Sequence, residues 1–152
     1  MKLTEHELTE PVSLVLPSGR LNPAAVGWSR RPLHDTSGVA SVTGWGRNKR
    51  WEYWCVVSPT YLLALTVASI DFAAVSEVWV YERATGRAVG HSALRPFGAG
   101  VQLPASLGEG PASARARDIE IDIVEQADST VLTATVEGPR FEIEALLPAH
   151  HE

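Results

Sequence analysis

Ile119-Glu120-Ile121-Asp122-Ile123-Val124 alternates branched apolar residues with acids, and this stretch decides the fold class. A period of two puts the isoleucines on one face of a strand and the carboxylates on the other. Gln126 to Ser129 supplies a turn, Val131 to Val136 a returning strand, and Gly138-Pro139 a second turn. Phe141, Ile143 and Ala145 then alternate again with Glu142 and Glu144. Three strands on short connections predict an antiparallel meander with one buried and one wet face. Paired carboxylates such as Glu120/Asp122 and Glu142/Glu144 can do acid–base work, but here they stand where the polar residues of such a sheet belong.

The same logic extends upstream. Val75 to Glu82 reads as a strand, Ala84-Thr85-Gly86-Arg87 as a turn, and Ala88 to Ser92 as the return. Trp51 to Val57 and Tyr61 to Ser69 are rich in aromatic and β-branched residues, with Ser58-Pro59-Thr60-Tyr61 as their hairpin connection. Val12 to Leu16 is a short first strand, and Gly98 to Pro111, with four glycines and two prolines, is a loop. No stretch of ten or more residues carries a helical period; Asp71 to Ser76 is read as one helical turn. The expectation is an all-β protein, an antiparallel meander forming a curved sheet or partly closed barrel. Its organisation is an N-terminal tail and first strand (1–17), a basic, Trp/Gly-rich extended segment (18–50), an antiparallel sheet domain (51–147) and a tail (148–152).

Composition narrows the function. The chain has 152 residues, 45% hydrophobic and 20% charged, which is one globular domain's worth and not a disordered chain. A net charge of −5 argues against a nucleic-acid partner. One cysteine excludes a disulfide framework and any zinc site built from several thiolates. The first residues lack the apolar core of a signal peptide, and the longest weakly polar run, Cys55 to Ala68, is broken by Ser58-Pro59-Thr60. No stable membrane insertion and a cytoplasmic location are therefore expected, the latter in keeping with an unpaired Cys55. Charge is unevenly spread. Pro11 to Trp51 holds six basic residues and one acid, a net +5, whereas the remainder holds seven basic and seventeen acidic residues, a net −10.

Familiar chemistry is missing. There is no phosphate loop and no dinucleotide fingerprint. His6-Glu7-Leu8-Thr9-Glu10 lacks the second histidine of a zinc-protease helix and reads as an exposed tail. Cys55 reads as a buried, inert thiol, and His150-His151-Glu152 as a chain end. No metal, no cofactor and no catalytic group are assigned. Two clusters carry the binding candidates. Gly27-Trp28-Ser29-Arg30-Arg31-Pro32-Leu33-His34-Asp35 offers Trp28, Arg30, Arg31, His34 and Asp35. Arginine suits bidentate contact with anions and stacking on aromatics, so this is either an anion or polar-ligand site, or a plug whose arginines pair with strand carboxylates. In the second reading Trp28 and at least one of the two arginines are buried. Gly44-Trp45-Gly46-Arg47-Asn48-Lys49-Arg50-Trp51-Glu52-Tyr53-Trp54 adds Arg47, Trp51 and Trp54. Cation–π packing of Arg47 or Arg50 on the tryptophans accounts for that pattern without nucleic acid.

These blocks, in order, carry a resemblance. Leu21-Asn22-Pro23, then Gly27 to His34, then Gly46-Arg47-Asn48-Lys49-Arg50-Trp51-Glu52-Tyr53-Trp54-Cys55, then Val67-Ala68-Ser69-Ile70-Asp71-Phe72, Val78-Trp79 and Thr85-Gly86 resemble the DUF2804 family of uncharacterised bacterial proteins. The resemblance covers about Ser18 to Gly86 and implies an all-β protein related to lipocalin-like, two-domain hydratase and cyclase folds. It assigns no catalytic residue. Family members continue with a second β-rich half, so the resemblance implies that this chain corresponds to an N-terminal half. Three functions compete on these grounds. The first is a lipocalin-like module binding a small apolar, amphipathic or anionic ligand under a tryptophan-rich lid. The second is an enzyme of hydratase or cyclase type acting on a lipid-like substrate through Arg30, Arg31, His34 or Asp35. The third is a structural half of a larger two-domain β assembly. The strand from Arg140 to Leu147 lacks lysine and has no proline before Pro148, so its edge is weakly guarded and a homodimer through it is expected.

Overall fold

Strands form wherever the sequence alternates. The computed structural model describes residues 5–40, 44–137 and 141–148. In chain order the strands are β1 (Val12–Ser13), β2 (His34–Asp35), β3 (Arg50–Val57), β4 (Tyr61–Ser69), β5 (Ala73–Glu82), β6 (Arg87–Pro96), β7 (Val101–Gln102), β8 (Ala112–Arg115), β9 (Ile119–Glu125), β10 (Ser129–Val136) and β11 (Phe141–Pro148). Among the described residues helix is limited to short 3₁₀ stretches, Pro23–Ala25, Ser37–Ala40 and Gly44, so the protein is all-β. β1 and β2 pair in parallel. The remaining strands form two antiparallel meanders, β3-β4-β5-β6 and β7-β8-β9-β10-β11, in which sequence neighbours are sheet neighbours.

The two meanders share one core. The inward row of β9 (Ile119, Ile121, Ile123) and of β10 (Leu132, Ala134, Val136) belongs to the same buried cluster as Leu65, Val67 and Val78 of the four-stranded sheet. Trp54, Val56, Leu63 and Val80 close it at the sides. Burial alternates along β9 and β10 as a period of two requires. The outward face of the five-stranded sheet is polar at β8 and the first half of β9, although it also carries the row Val124–Val131–Leu146. Arg115 on β8 holds Glu120 at 2.9 Å and Asp122 at 2.6 Å, so these carboxylates form the wet face of the meander. The sheets stay separate and no barrel closes.

Several expectations are corrected. Asp71 to Ser76 contains no helical turn. Phe72 N–H donates to the Ile70 carbonyl at 2.8 Å in a three-residue turn, Asp71 takes a left-handed φ of 62°, and β5 begins at Ala73. The 98–111 loop contains β7, and β8 follows directly. Cys55 is exposed, because Trp54 and Val56 on either side of it point into the core. The 5–10 stretch is tied down. Leu8 N–H donates to the Trp28 carbonyl at 2.8 Å, Trp28 N–H donates to the His6 carbonyl at 3.0 Å, and Leu8 is buried. The expected Gly138-Pro139 turn and the His150-His151-Glu152 end lie outside the described residues.

Candidate ligand-binding site

Residues 12–36 are held first by backbone bonds. Val12 N–H donates to the Leu33 carbonyl and Leu14 N–H to the Asp35 carbonyl, each at 2.9 Å. Asn22 caps the first 3₁₀ turn: its Oδ1 accepts from Ala24 N–H at 3.1 Å, and its Nδ2 donates to the Ser13 carbonyl at 2.9 Å. His34 Nε2 donates to the Ala25 carbonyl at 2.9 Å. From the other side, the loop after β7 is clamped to β2. Thr36 donates to the Ala105 carbonyl through both its N–H (2.8 Å) and its hydroxyl (2.6 Å), and the Ser106 hydroxyl donates to the His34 carbonyl at 2.9 Å.

Between this clamp and the start of β3 lies a cavity of about 340 Å³. Its walls are largely apolar, with Leu14, Pro32, Val39, Trp51, Leu103 and Leu107. Its charged lining residues are Lys49, Arg50 and Glu52. One guanidinium nitrogen of Arg50 donates to the carbonyls of Leu103 and Pro104. The Nε–H is buried and has no hydrogen-bond partner among the described residues. Carbonyl oxygens are neutral, so these bonds hold the side chain without neutralising it. Burial pulls the guanidinium below its ordinary value, and the Asp35 charge opposes that. Asp35 itself is held below the usual carboxylate range, first by the Ser37 N–H at 2.8 Å and last by the charge of Arg50. Two residues along the same face of β3, burial pushes the Glu52 carboxyl up; the Trp54 indole N–H at 2.8 Å opposes this and the charge of Glu125 adds to it. One pocket thus holds a guanidinium short of a counter-ion and a carboxyl inclined to keep its proton.

A second cavity, about 610 Å³, lies across Val39, Arg50 and Leu103 from the first. Its carboxylate, Asp71, already accepts from the N–H groups of Gly46 (2.6 Å) and Asn48 (3.0 Å), so it fixes the 44–48 turn.

The eight candidate residues are dispersed. His34 and Trp51 line the first cavity, and Asp35 reaches it through Arg50. Trp54 turns into the core. Arg47 sits on the exposed 44–47 turn. Trp28 and Arg30 pair outside the cavity lining: the Arg30 guanidinium lies 5.0 Å over the Trp28 ring and its Nε bonds Glu7 at 2.8 Å. Trp28 is 39% exposed and the Arg30 side chain 74%, so the expected burial of this pair is corrected. Glu7 and the indole ring satisfy the charge at the surface, and the strand carboxylates that were its expected partners are taken by Arg115. Arg31 is exposed as well. Arg50, Glu52 and the 103–107 loop line the pocket; the sequence offers Arg50 only as a cation–π partner of the tryptophans, and among the described residues the cation–π contact is instead Arg30 on Trp28. The structure begins β3 at Arg50, one residue before the expected strand, and this puts Arg50 and Glu52 on one face.

Among the described residues no group of three or more His, Cys, Asp or Glu side chains is arranged to hold a metal, and no helix is long and apolar enough to cross a membrane. No curated protein and no solved structure matches the chain. The family described as a domain of unknown function, DUF2804, matches residues 5–152, beyond the blocks that carried the resemblance, and the chain belongs to that family.

Proposed function

We propose that the protein is a binding module for a small amphipathic anion, a carboxylate with an apolar body. The observation that carries this is Arg50, which lines a largely apolar cavity beside Lys49, Glu52 and His34 and whose buried Nε–H has no partner among the described residues. A buried donor without a partner costs about 1–3 kcal/mol, and a bound carboxylate would recover it with a charge-assisted bond. The apolar walls suit the body of the ligand, and a volume near the lower end of small-molecule sites sets its size. Calorimetric titration with octanoate, octanol and octylamine tests the reading. Octanoate is expected to bind, and the alcohol and amine to bind far more weakly. Arg50→Gln should erase the preference for octanoate by removing ~1.5–3 kcal/mol, the worth of a hydrogen bond to a charged group. Equal binding of all three, or none, overturns it.

Glu52 supports a second reading, an enzyme of hydratase or cyclase type. A half-buried carboxyl whose pKa burial raises, on the same strand face as Arg50, is placed to exchange a proton with a lipid-like substrate. In that case Glu52→Gln keeps ligand binding and loses turnover.

A further inference from the structure

The four-stranded sheet is apolar on both faces. Its inner face is the core. Its outer face, read across the registers, consists of four rows: Trp51–Ala68–Val75–Leu94, Tyr53–Thr66–Glu77–Ser92, Cys55–Ala64–Trp79–Gly90 and Val57–Leu62–Tyr81–Ala88. Two rows contain no charged or hydroxyl side chain, and in a third the only one is the Tyr81 phenol. Trp51 is 65% exposed and Leu94 71%. The five-stranded sheet shows the contrast, with Arg115, Glu120 and Asp122 on its outer face. An antiparallel sheet facing water on one side normally alternates apolar with polar, so the four-stranded sheet has the composition of a covered layer.

We propose that this face pairs with the same face of a second copy of the chain. The argument is self-complementarity. A two-fold axis parallel to the strands, between β4 and β5, sets β3 over the partner's β6 and β4 over the partner's β5 while each row meets itself reversed. In the polar row Tyr53 then opposes Ser92 and Thr66 opposes Glu77, so each hydroxyl or carboxylate meets a polar group and no two carboxylates face each other. In the next row Ala64 opposes Trp79 and Cys55 opposes Gly90, small against large and small against small. Gly90 already makes room for Trp79 within the chain, since a Cβ there would come within 3.1 Å of the indole. Stacked sheets are offset by about 30°, which loosens the corner pairs and keeps the central β4 and β5 pairs. Four strands about 4.8 Å apart and eight residues at about 3.3 Å each give roughly 500 Å² in plan, before side-chain relief. That is the upper range of patches left bare on monomers and below the ~800 Å² per partner of a standard interface, which fits a reversible dimer and not an obligate one.

Sedimentation velocity from low to high micromolar concentration is expected to show a monomer–dimer equilibrium. Leu94→Glu puts a charge against the partner's Trp51 and should weaken association at least tenfold, while Val124→Glu, on the outer face of the five-stranded sheet, leaves it unchanged. Cys55 gives an independent signal. It is exposed in one chain and covered in the pair, so its alkylation by iodoacetamide should slow as protein concentration rises, and L94E should abolish that dependence. Far-ultraviolet dichroism checks that L94E folds; where it does not, Val57→Glu at the opposite corner carries the same test. A monomer at every concentration overturns the proposal. So does a dimer that these variants leave intact with Cys55 still reactive, the outcome expected of pairing through the β11 edge.

Discussion

Arg50 and Glu52 stand two residues apart on β3 and are shifted in opposite directions, in each case chiefly because burial disfavours the charged form. For Glu52 this has a consequence for stability. Its carboxyl is raised above an ordinary value of 4.5, so the folded protein keeps a proton that the unfolded chain releases. The stability this provides is fully present below the unfolded value and is lost as pH rises through the folded one. Glu52→Gln removes the titration. Its urea-unfolding free energy should be flatter against pH than that of the parent from about pH 4.5 upward, with the gap between the two opening in favour of the variant toward neutrality. A parent and variant with parallel profiles would mean that Glu52 is as solvated folded as unfolded. The placing of a half-buried guanidinium beside a carboxyl of raised pKa is not readable from the sequence. The strand expected from the sequence starts at Trp51 and leaves Arg50 outside it, and the Leu103 and Pro104 carbonyls that hold Arg50 lie more than fifty residues away, so only the fold brings the group together.

At the scale of elements, what the sequence discloses depends on side-chain bulk. β4 runs from Tyr61 to Ser69, the limits its apolar run suggests, and β9 begins at Ile119, where alternation begins. β8 went unread because Ala112-Ser113-Ala114-Arg115 alternates with so little volume that it passes for loop, although Ala112 and Ala114 are fully buried. The small side chains are needed there, since β7 and β8 join at a very close approach. Gly100 has a left-handed φ of 78°, its carbonyl accepts from Arg115 N–H at 2.7 Å, and a Cβ on it would lie 2.2 Å from the Arg115 carbonyl oxygen. Gly100→Ala therefore combines a strained φ with a backbone clash, and backbone cannot rotate away as a side chain can. A loss of about 2 kcal/mol or more is expected in urea unfolding, well above the ~1 kcal/mol of an ordinary glycine replacement at positive φ. Gly108→Ala is the control, with φ 84° and nothing within 4 Å of the added carbon, and should cost only the smaller amount.

At the scale of the whole molecule the question is whether two meanders that share no strand pairing behave as one body. The period-two pattern predicted strands and faces, but it is silent on which sheet a strand joins, because alternation specifies an inside without specifying what fills it. The structure fills it with both sheets: Leu65, Val67 and Val78 from one and the isoleucines of β9 from the other belong to a single buried cluster. Outside that core, His91 on β6 reaches Asp118, just before β9, at 2.7 Å, and Arg50 reaches across to the loop after β7. The placement of tryptophan makes the coupling measurable. All five tryptophans, at 28, 45, 51, 54 and 79, lie in the four-stranded sheet or the segments before it, and the five-stranded sheet has none. Ile121→Ala opens a cavity in the five-stranded sheet and is expected to cost ~2–5 kcal/mol. If the core is shared, that loss must appear in tryptophan fluorescence, which sees only the other sheet, by the same amount and at the same midpoint as in far-ultraviolet dichroism, which sees both. Independent sheets would separate the two probes: the dichroism transition would become biphasic, and the fluorescence transition would stay where it was in the parent.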